Sequence, residues 1–536
     1  MKITTFSLFL FFTLYTLTFG QRGLTKIPDT AIQAQLDSFV LPEGAKINLF
    51  ASEPVVRNPI HMNWDSRGRL WVVGSPLYPH IKPGQEESDQ LVILEDTTGD
   101  GVADKHTVFA DDLHIPTGVL PGDGGVYVAN SNDVLFLKDT NGDGKADHRE
   151  VVLSGFGTED THHIVHTFRW GPEGMMWLNQ SIYIHTHLDT PYGIRRLLGG
   201  GMWHYRPETK RSEVFMKGLV NPWGHAFDEW GQSFMTDGAG GQGINFVYPR
   251  SVFVASPGAP RRVQGLNPGQ PKLCGLEVLS GSHIPEHWRG ALASPDFRGH
   301  RIKTFRLSDK GSAFESREYK ELLASRHGAF RPIDVKMGPD GAIYVADLYN
   351  PIIQHGEVDF RDERRDQTRG RIWRIAAKER PLVAPPTLVG ASVKELLDYL
   401  KAPESWTRTQ AKWELKHRGA SEVIPALRSW VAGLDPEDKK GDHHRLEALW
   451  VTQALREVHL GLVEALIESE DFNARAGAVR VLEENPGQND RVFEFLERAI
   501  RDPHPRVRLE ALHGLRALGG TRSAKLAMES YSESMD

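Results

Sequence analysis

At 536 residues with 40% hydrophobic content, the chain can bury more than one core, so two or three globular domains are expected. A formal net charge of −7 without any Lys/Arg run leaves no basic stripe for a phosphate backbone, which sets nucleic acid aside as a partner. Cys274 is the single cysteine, so an intrachain disulfide, a lipid-modified cysteine at the N-terminus and a C-x-x-C-H haem site are all excluded.

The chain opens MKITTFSLFLFFTLYTLTFGQRG, with one basic residue, an apolar run from Phe6 to Phe19 and small residues ahead of Gln21. That pattern predicts a cleavable secretory signal over residues 1–20. The run is shorter than the roughly 20 apolar residues that span a bilayer. Periplasmic or outer-surface placement in a bacterium is the expectation, with residues 21–44 as an N-terminal extension.

From residue 45 to 377 short β-type runs alternate with Gly/Pro/Asp turns, and one phrase recurs. It appears as MNWDSRGRLWVV (62–73), TFRWGPEGMMWL (167–178), HAFDEWGQSFMT (225–236) and DVKMGPDGAIYV (334–345), with looser copies at 118–129 and 276–294. The turn glycines, from Gly68 to Gly341, recur every roughly 50 to 60 residues, room for four strands per unit. Six units predict an all-β, six-bladed β-propeller. The sixth unit lacks an outer strand, and AKINLFAS (45–52) is predicted to supply it and close the ring.

Two acidic loops fall in the first two units. DTNGDGKADHRE (139–150) fits the calcium-loop pattern, with Asp139, Asn141, Asp143, Asp147 and Glu150 as oxygen ligands and Gly144 at the bend. DTTGDGVADKHT (96–107) repeats it with Asp96, Asp100 and Asp104. Strands flank both, so they are expected as calcium-stapled turns between the two outer strands of a blade; plain Asp/Gly hairpins are the alternative.

Blade parity puts these loops on one face of the propeller and the segments between successive blades on the other. On that second face fall EDTHHIVH, GLVNPWG and GAFRPID, together with NQSIYIHTH, SPDFRGHR and ADLYNPIIQHGE. The histidines His162, His163 and His166 read as HHxxH without the glutamate of a zinc-protease helix, and they precede a strand. A divalent ion held by His162, His163, His185 or His187, a catalytic base, and plain loop histidines all stay open. GAGGQG (238–243) leads into another strand, so it offers no helix N-terminus to a pyrophosphate. Asp237 and Asp347 are a carboxylate pair that could support hydrolysis.

Residues 378–392 read as a linker, after which the periodicity becomes helical. RTQAKWEL (408–415), RLEALWVT (445–452), RAGAVRVL (475–482) and RLEALHGL (508–515) recur at spacings that suit stacked helix pairs, an all-α HEAT-like solenoid over 393–536.

The phrases HHIVHTFRWGPEG, NPWGHAFDEWGQSFMTDG and FRPIDVKMGPDGAIYVADLYNPIIQHGE resemble the membrane-bound dehydrogenase family of exported bacterial proteins, in which a propeller precedes HEAT-like repeats. More distantly the chain is similar to soluble quinoprotein glucose/sorbosone dehydrogenases. The resemblance implies pyrroloquinoline quinone (PQQ) as cofactor, His163 as general base, and Asn221, Arg298 and Arg331 as cofactor-binding residues. Against the family pattern, Val220, Phe297 and Ile333 stand where cations are expected. Longer relatives carry a cytochrome domain, so a separate electron carrier such as a c-type cytochrome is the implied partner. The leading reading is an exported oxidoreductase acting on a sugar or polyol. The alternatives are a non-catalytic protein- or glycan-binding scaffold and a metal-dependent hydrolase or lactonase.

Overall fold

The computed structural model describes residues 27–530 apart from 240, 257, 271, 354–357 and 485–489; the predicted signal, 1–20, lies outside the described residues. Each copy of the turn phrase folds as the hairpin between the two inner strands of a blade. Its glycine sits at positive φ, +81° at Gly174 and +79° at Gly231, where a side chain would be strained.

Six such hairpins organise six blades around a central axis. Blade one runs Pro59–Trp64, Leu70–Gly74, Asp89–Glu95 and Lys105–Leu113, and blade two follows the same plan from Pro116–Gly122 to His148–Ser154. Blade three carries an extra hairpin, His185–Leu188 with Arg195–Leu198, inserted between its second and third strands. Blade four keeps three strands, Pro222–Phe227, Ser233–Asp237 and Gly243–Val247. Its fourth is replaced by an irregular segment that touches blade three through a Lys217–Val252 bridge. In blade six the strand Arg371–Ala377 is covered by Ala45–Ser52, with Ala45 paired to Ala377, which is the predicted closure.

The predicted N-terminal extension is built into this closure. Helix α1 (Ile32–Leu36) buries Gln35 completely, and its amide donates to Asp347 Oδ2 at 2.6 Å. The short strand Phe39–Val40 then pairs with Leu323–Ser325 of blade five.

Apolar faces of neighbouring blades interleave, with Phe168, Trp203, Phe234 and Trp373 fully buried, each contributing roughly 1.5–3 kcal/mol of burial.

Nine helices follow among the described residues. They are α2 (Val393–Tyr399), α3 (Ser405–Arg418), α4 (Ala420–Ala432), α5 (Gly441–Ala454), α6 (Leu460–Ile467), α7 (Phe472–Glu483), α8 (Arg491–Ala499), α9 (Pro505–Leu518) and α10 (Gly520–Glu529). A capping box starts α2, with Ser392 and Glu395 satisfying each other's backbone amides. The repeated phrase lies in α3, α5, α7 and α9, which form the inner row against the propeller. Trp413 of α3 packs on Trp170 at a centroid distance of 3.9 Å. Arg480 of α7 donates to the Gly231 carbonyl and to Gln232, and Arg506 of α9 to Asp309 and the Ala313 carbonyl. A Cβ placed on Gly174 would lie 2.9 Å from Ala454 of α5. The helices therefore cover the face formed by the inner-strand turns. Among the described residues no helix is long and apolar enough to cross a membrane.

Candidate active site

The helices cover one face of the propeller, and the histidine loop lies on the other. The backbone turns at Asp160, whose carbonyl accepts from His163 N–H at 2.8 Å. The turn brings two imidazoles to one carboxylate: His162 Nδ1 is 3.0 Å from Asp160 Oδ1, and His163 Nδ1 is 3.0 Å from Oδ2. Hydrogen bonds from His162 and His163 hold the Asp160 carboxyl well below the usual carboxylate range. A carboxylate on Nδ1 fixes the proton there and puts the imidazole lone pair on Nε2, the tautomer of a general base. The His163 carbonyl accepts from Ser181 N–H at 3.0 Å, which ties the base to the segment carrying Tyr183.

Aromatic rings surround this pair. Tyr183, 59% exposed, stands edge-on to His163 at 5.5 Å, and Tyr78 of blade one meets His162 at 5.3 Å. Phe360, from the blade-six segment, lies 5.8 Å from His162 and stacks on His80 at 5.7 Å. Three blades thus contribute a rim of flat faces and polar edges, suited to a ring with an apolar face and hydroxyls at its edge.

His166 has a different fate. It is buried, stacked on Trp223 at 4.7 Å, with Nε2 3.3 Å from Ser181 Oγ. Burial, aided by nearby His163, pushes it down to about 3, so it is a neutral core residue. His185 lies on the blade-three hairpin, 3.3 Å from Glu159. Among the described residues no three His, Cys, Asp or Glu side chains converge on a metal-sized site.

The other sequence-predicted residues occupy the same face. Arg331 is 2% exposed. Its guanidinium donates to the carbonyls of Asn350 (2.8 Å), Phe297 (3.0 Å) and Pro351 (3.2 Å), with His300 Nδ1 at 3.1 Å. Burial lowers it to about 9. Arg331 therefore staples blade five to blade six. Arg298 beside it is exposed. Asn221 donates its backbone N–H to Asp237 at 2.8 Å, and its side-chain oxygen is buried without a hydrogen-bond partner.

Asp237 and Asp347 are fully buried. Asp237 accepts the backbone N–H groups of Val220, Asn221 and Ala239; Asp347 accepts those of Arg331 and Tyr349. Both clamp the chain as it enters the next blade, and burial raises both.

The acidic loops are likewise committed to backbone amides. Asp139 accepts from Gly142 and Gly144, Asp96 from Gly99 and Gly101, and Asp147 and Asp104 from Thr140 and Thr97. Asn141 accepts from Asp143 N–H, while Asp143 and Asp100 accept from Lys145 and Val102. Glu150 sits in the following strand, 3.7 Å from Lys210. Ala103 N–H donates to the Phe50 carbonyl and Ala146 N–H to that of Phe109, so each loop joins two blades. Among the described residues no three of these carboxylates converge on a metal-sized site.

Sequence reasoning missed Asp160, the aromatic rim and the plug beneath them. Alternate residues of the innermost strands point into the channel: His61, Arg169, His225, Glu277, Asp334 and Lys336 are largely buried there. Lys336 is 2.6 Å from Asp334, His61 3.7 Å from the same carboxylate, and Arg169 3.1 Å from Glu277. Burial holds His61 and His225 well below their ordinary value. Period-two polarity in IHMNW and DVKMG was the available signal.

No curated protein matches this chain. Among solved structures the propeller is similar to an oxidoreductase (glucose dehydrogenase) from Thermus thermophilus, at 18% identity over 62% of this chain and 100% of that one, TM-score 0.44. It is also similar to the PQQ domain of pyranose dehydrogenase from Coprinopsis cinerea, at 12% identity over 63% and 97%, TM-score 0.44. A third is the PQQ-bound aldose sugar dehydrogenase from Streptomyces coelicolor, at 15% identity over 63% and 99%, TM-score 0.40. The HEAT repeats model matches residues 460–535. A second family model matches residues 31–264 and 270–379, the propeller with its N-terminal clamp, and the chain thereby belongs to the family described as Domain of unknown function (DUF7133).

Proposed function

We propose that this chain is an exported oxidoreductase that binds a sugar or polyol against the aromatic rim and removes its hydroxyl proton with His163. The observation that carries the reading is the Asp160–His163 pair, 3.0 Å apart, under rings from three blades. Asp160 orients the imidazole and stabilises the imidazolium that forms when Nε2 takes the proton. The leader-like first 20 residues support export.

The quinone implied by the family resemblance is tested by the donor set. PQQ is a tricarboxylate, and free cations must meet it. Here Arg331 spends its donors on main-chain carbonyls, and Val220, Phe297 and Ile333 are uncharged, which leaves Arg298. These residues do not fit PQQ. Oxidation of the carbinol then needs a two-electron acceptor other than PQQ to take the hydride from carbon while His163 takes the hydroxyl proton, and a separate electron carrier is the proposed partner that supplies it.

That misfit favours a second reading, hydrolysis of a sugar lactone, in which His163 takes a proton from water as the oxygen adds to the carbonyl and returns it to the ring oxygen as the ring C–O bond breaks. One assay separates the two: aldoses, polyols and aldonolactones are offered to the purified protein with an artificial electron-acceptor dye, with and without added PQQ. Sugar-dependent dye reduction lost in His163→Ala supports oxidation, and acid release from lactone without dye reduction supports hydrolysis. Turnover unchanged in His163→Ala defeats both.

A further inference from the structure

A second cavity lies away from the mouth, where the outer edge of blade three meets α5, α7 and α9. It encloses about 550 Å³, within the range of small-molecule sites, and lies at a domain junction where such sites concentrate. Arg206, Arg211, Arg250, Arg456 and Arg516 line it, against three glutamates, Glu213, Glu483 and Glu484. The formal excess is two positive charges. Met175 and Phe215 supply an apolar wall.

The internal pairing is incomplete. Glu213 is shared among Arg195 (3.0 Å), Arg211 (3.5 Å) and Arg250 (3.7 Å), and Arg206 reaches Glu484 at 3.6 Å. Arg456 has no ion pair among the described residues. Arg206 Nη1 and His204 Nδ1, both in the wall, are buried without a hydrogen-bond partner. The guanidiniums of Arg250, Arg206 and Arg211 add to burial in pushing His204 down to about 3, so positive potential converges on this wall. Clustered guanidiniums with unspent donors match the planar or tetrahedral oxygens of an oxyanion.

We propose that this cleft binds a small anionic molecule through a carboxylate, sulfate or phosphate group, with its uncharged part against Met175 and Phe215. The site is independent of the chemistry at the mouth. It joins propeller to helices, so its ligand would also brace the two against each other.

The test is calorimetric titration of the full mature chain with sodium gluconate, sulfate and phosphate, each against sodium chloride at matched ionic strength, with melting curves in parallel. Saturable heat and a concentration-dependent rise in melting temperature are expected, with Kd at least tenfold weaker in Arg211→Gln/Arg456→Gln and unchanged in the remote Arg149→Gln. Binding of gluconate identifies an acidic sugar as the source, and binding of sulfate or phosphate alone a free oxyanion. Should the double variant fold poorly in chloride, Arg456→Glu, a change at an exposed residue, carries the same expectation. Heats no different from chloride, or a Kd unmoved by these substitutions, overturn the proposal.

Discussion

The two faces of the propeller start from the same architecture and end differently. On one, glycine turns and short hairpins are pressed against α3, α5, α7 and α9, and Arg480 there is spent on the Gly231 carbonyl and the buried Glu510. On the other, the segments between blades are longer, the backbone is held by buried aspartates, and a carboxylate with two histidines lies beside the half-buried Tyr78 and Phe360 and the exposed Tyr183. A covered face selects for close approach; an open one lets side chains keep chemistry, because the scaffold beneath them carries the stability.

The largest effect expected from breaking this division is at the mouth. His163→Ala should lower turnover of any substrate found by roughly 10²–10⁴-fold while leaving the melting temperature nearly unchanged; Asp160→Asn should lower kcat and shift its pH profile. On the covered face the pattern inverts. Arg480→Ala strands Glu510, 1% exposed, and should cost about 3–5 kcal/mol in chemical denaturation with kcat intact. A smaller effect is expected at the rim: Tyr183→Ala should weaken KM by an amount worth about 0.5–1.5 kcal/mol without changing kcat.

The covered face should also respond to pH. Burial, then the neighbouring Glu173, pushes Glu484 up to about 8, so the folded state holds its proton more tightly than the unfolded chain. That contribution is fully present below the ordinary glutamate range near 4.3 and is lost as pH rises through about 8. Melting temperatures should therefore fall across that window, less steeply in Glu484→Gln. The smallest change is in the acidic loops, where Asp139→Ala removes acceptors for Gly142 and Gly144 and should cost roughly 0.5–1.5 kcal/mol.

Much of the fold was legible because it repeats. The turn phrase marked the six hairpins, AKINLFAS was assignable as the missing outer strand, and the RLEALWVT-type phrase marked the inner helices. Which face those helices cover was not legible, since the decisive contacts, Trp413 on Trp170 and Arg480 on Gly231, join residues hundreds of positions apart. At the site, the family resemblance singled out His163 but not Asp160, whose turn lies outside any repeat. Arg331 stands where the family resemblance puts a cofactor ligand, yet its guanidinium is held by carbonyls on two other loops. The acidic loops fit a calcium pattern because a hairpin and a calcium loop both begin with an aspartate that accepts amides from the same bend.

The strand Ala45–Ser52 has a consequence for how the molecule comes to be folded. Among the described residues it pairs only with Arg371–Ala377, so the ring cannot be completed until nearly the whole propeller has been synthesised, and contacts of such long sequence separation form late. Until then Ala45–Ser52 waits without its partner strand, the kind of open edge on which chains misassemble. The helical segments follow Ala377 in the chain, so they meet their docking face as the ring closes.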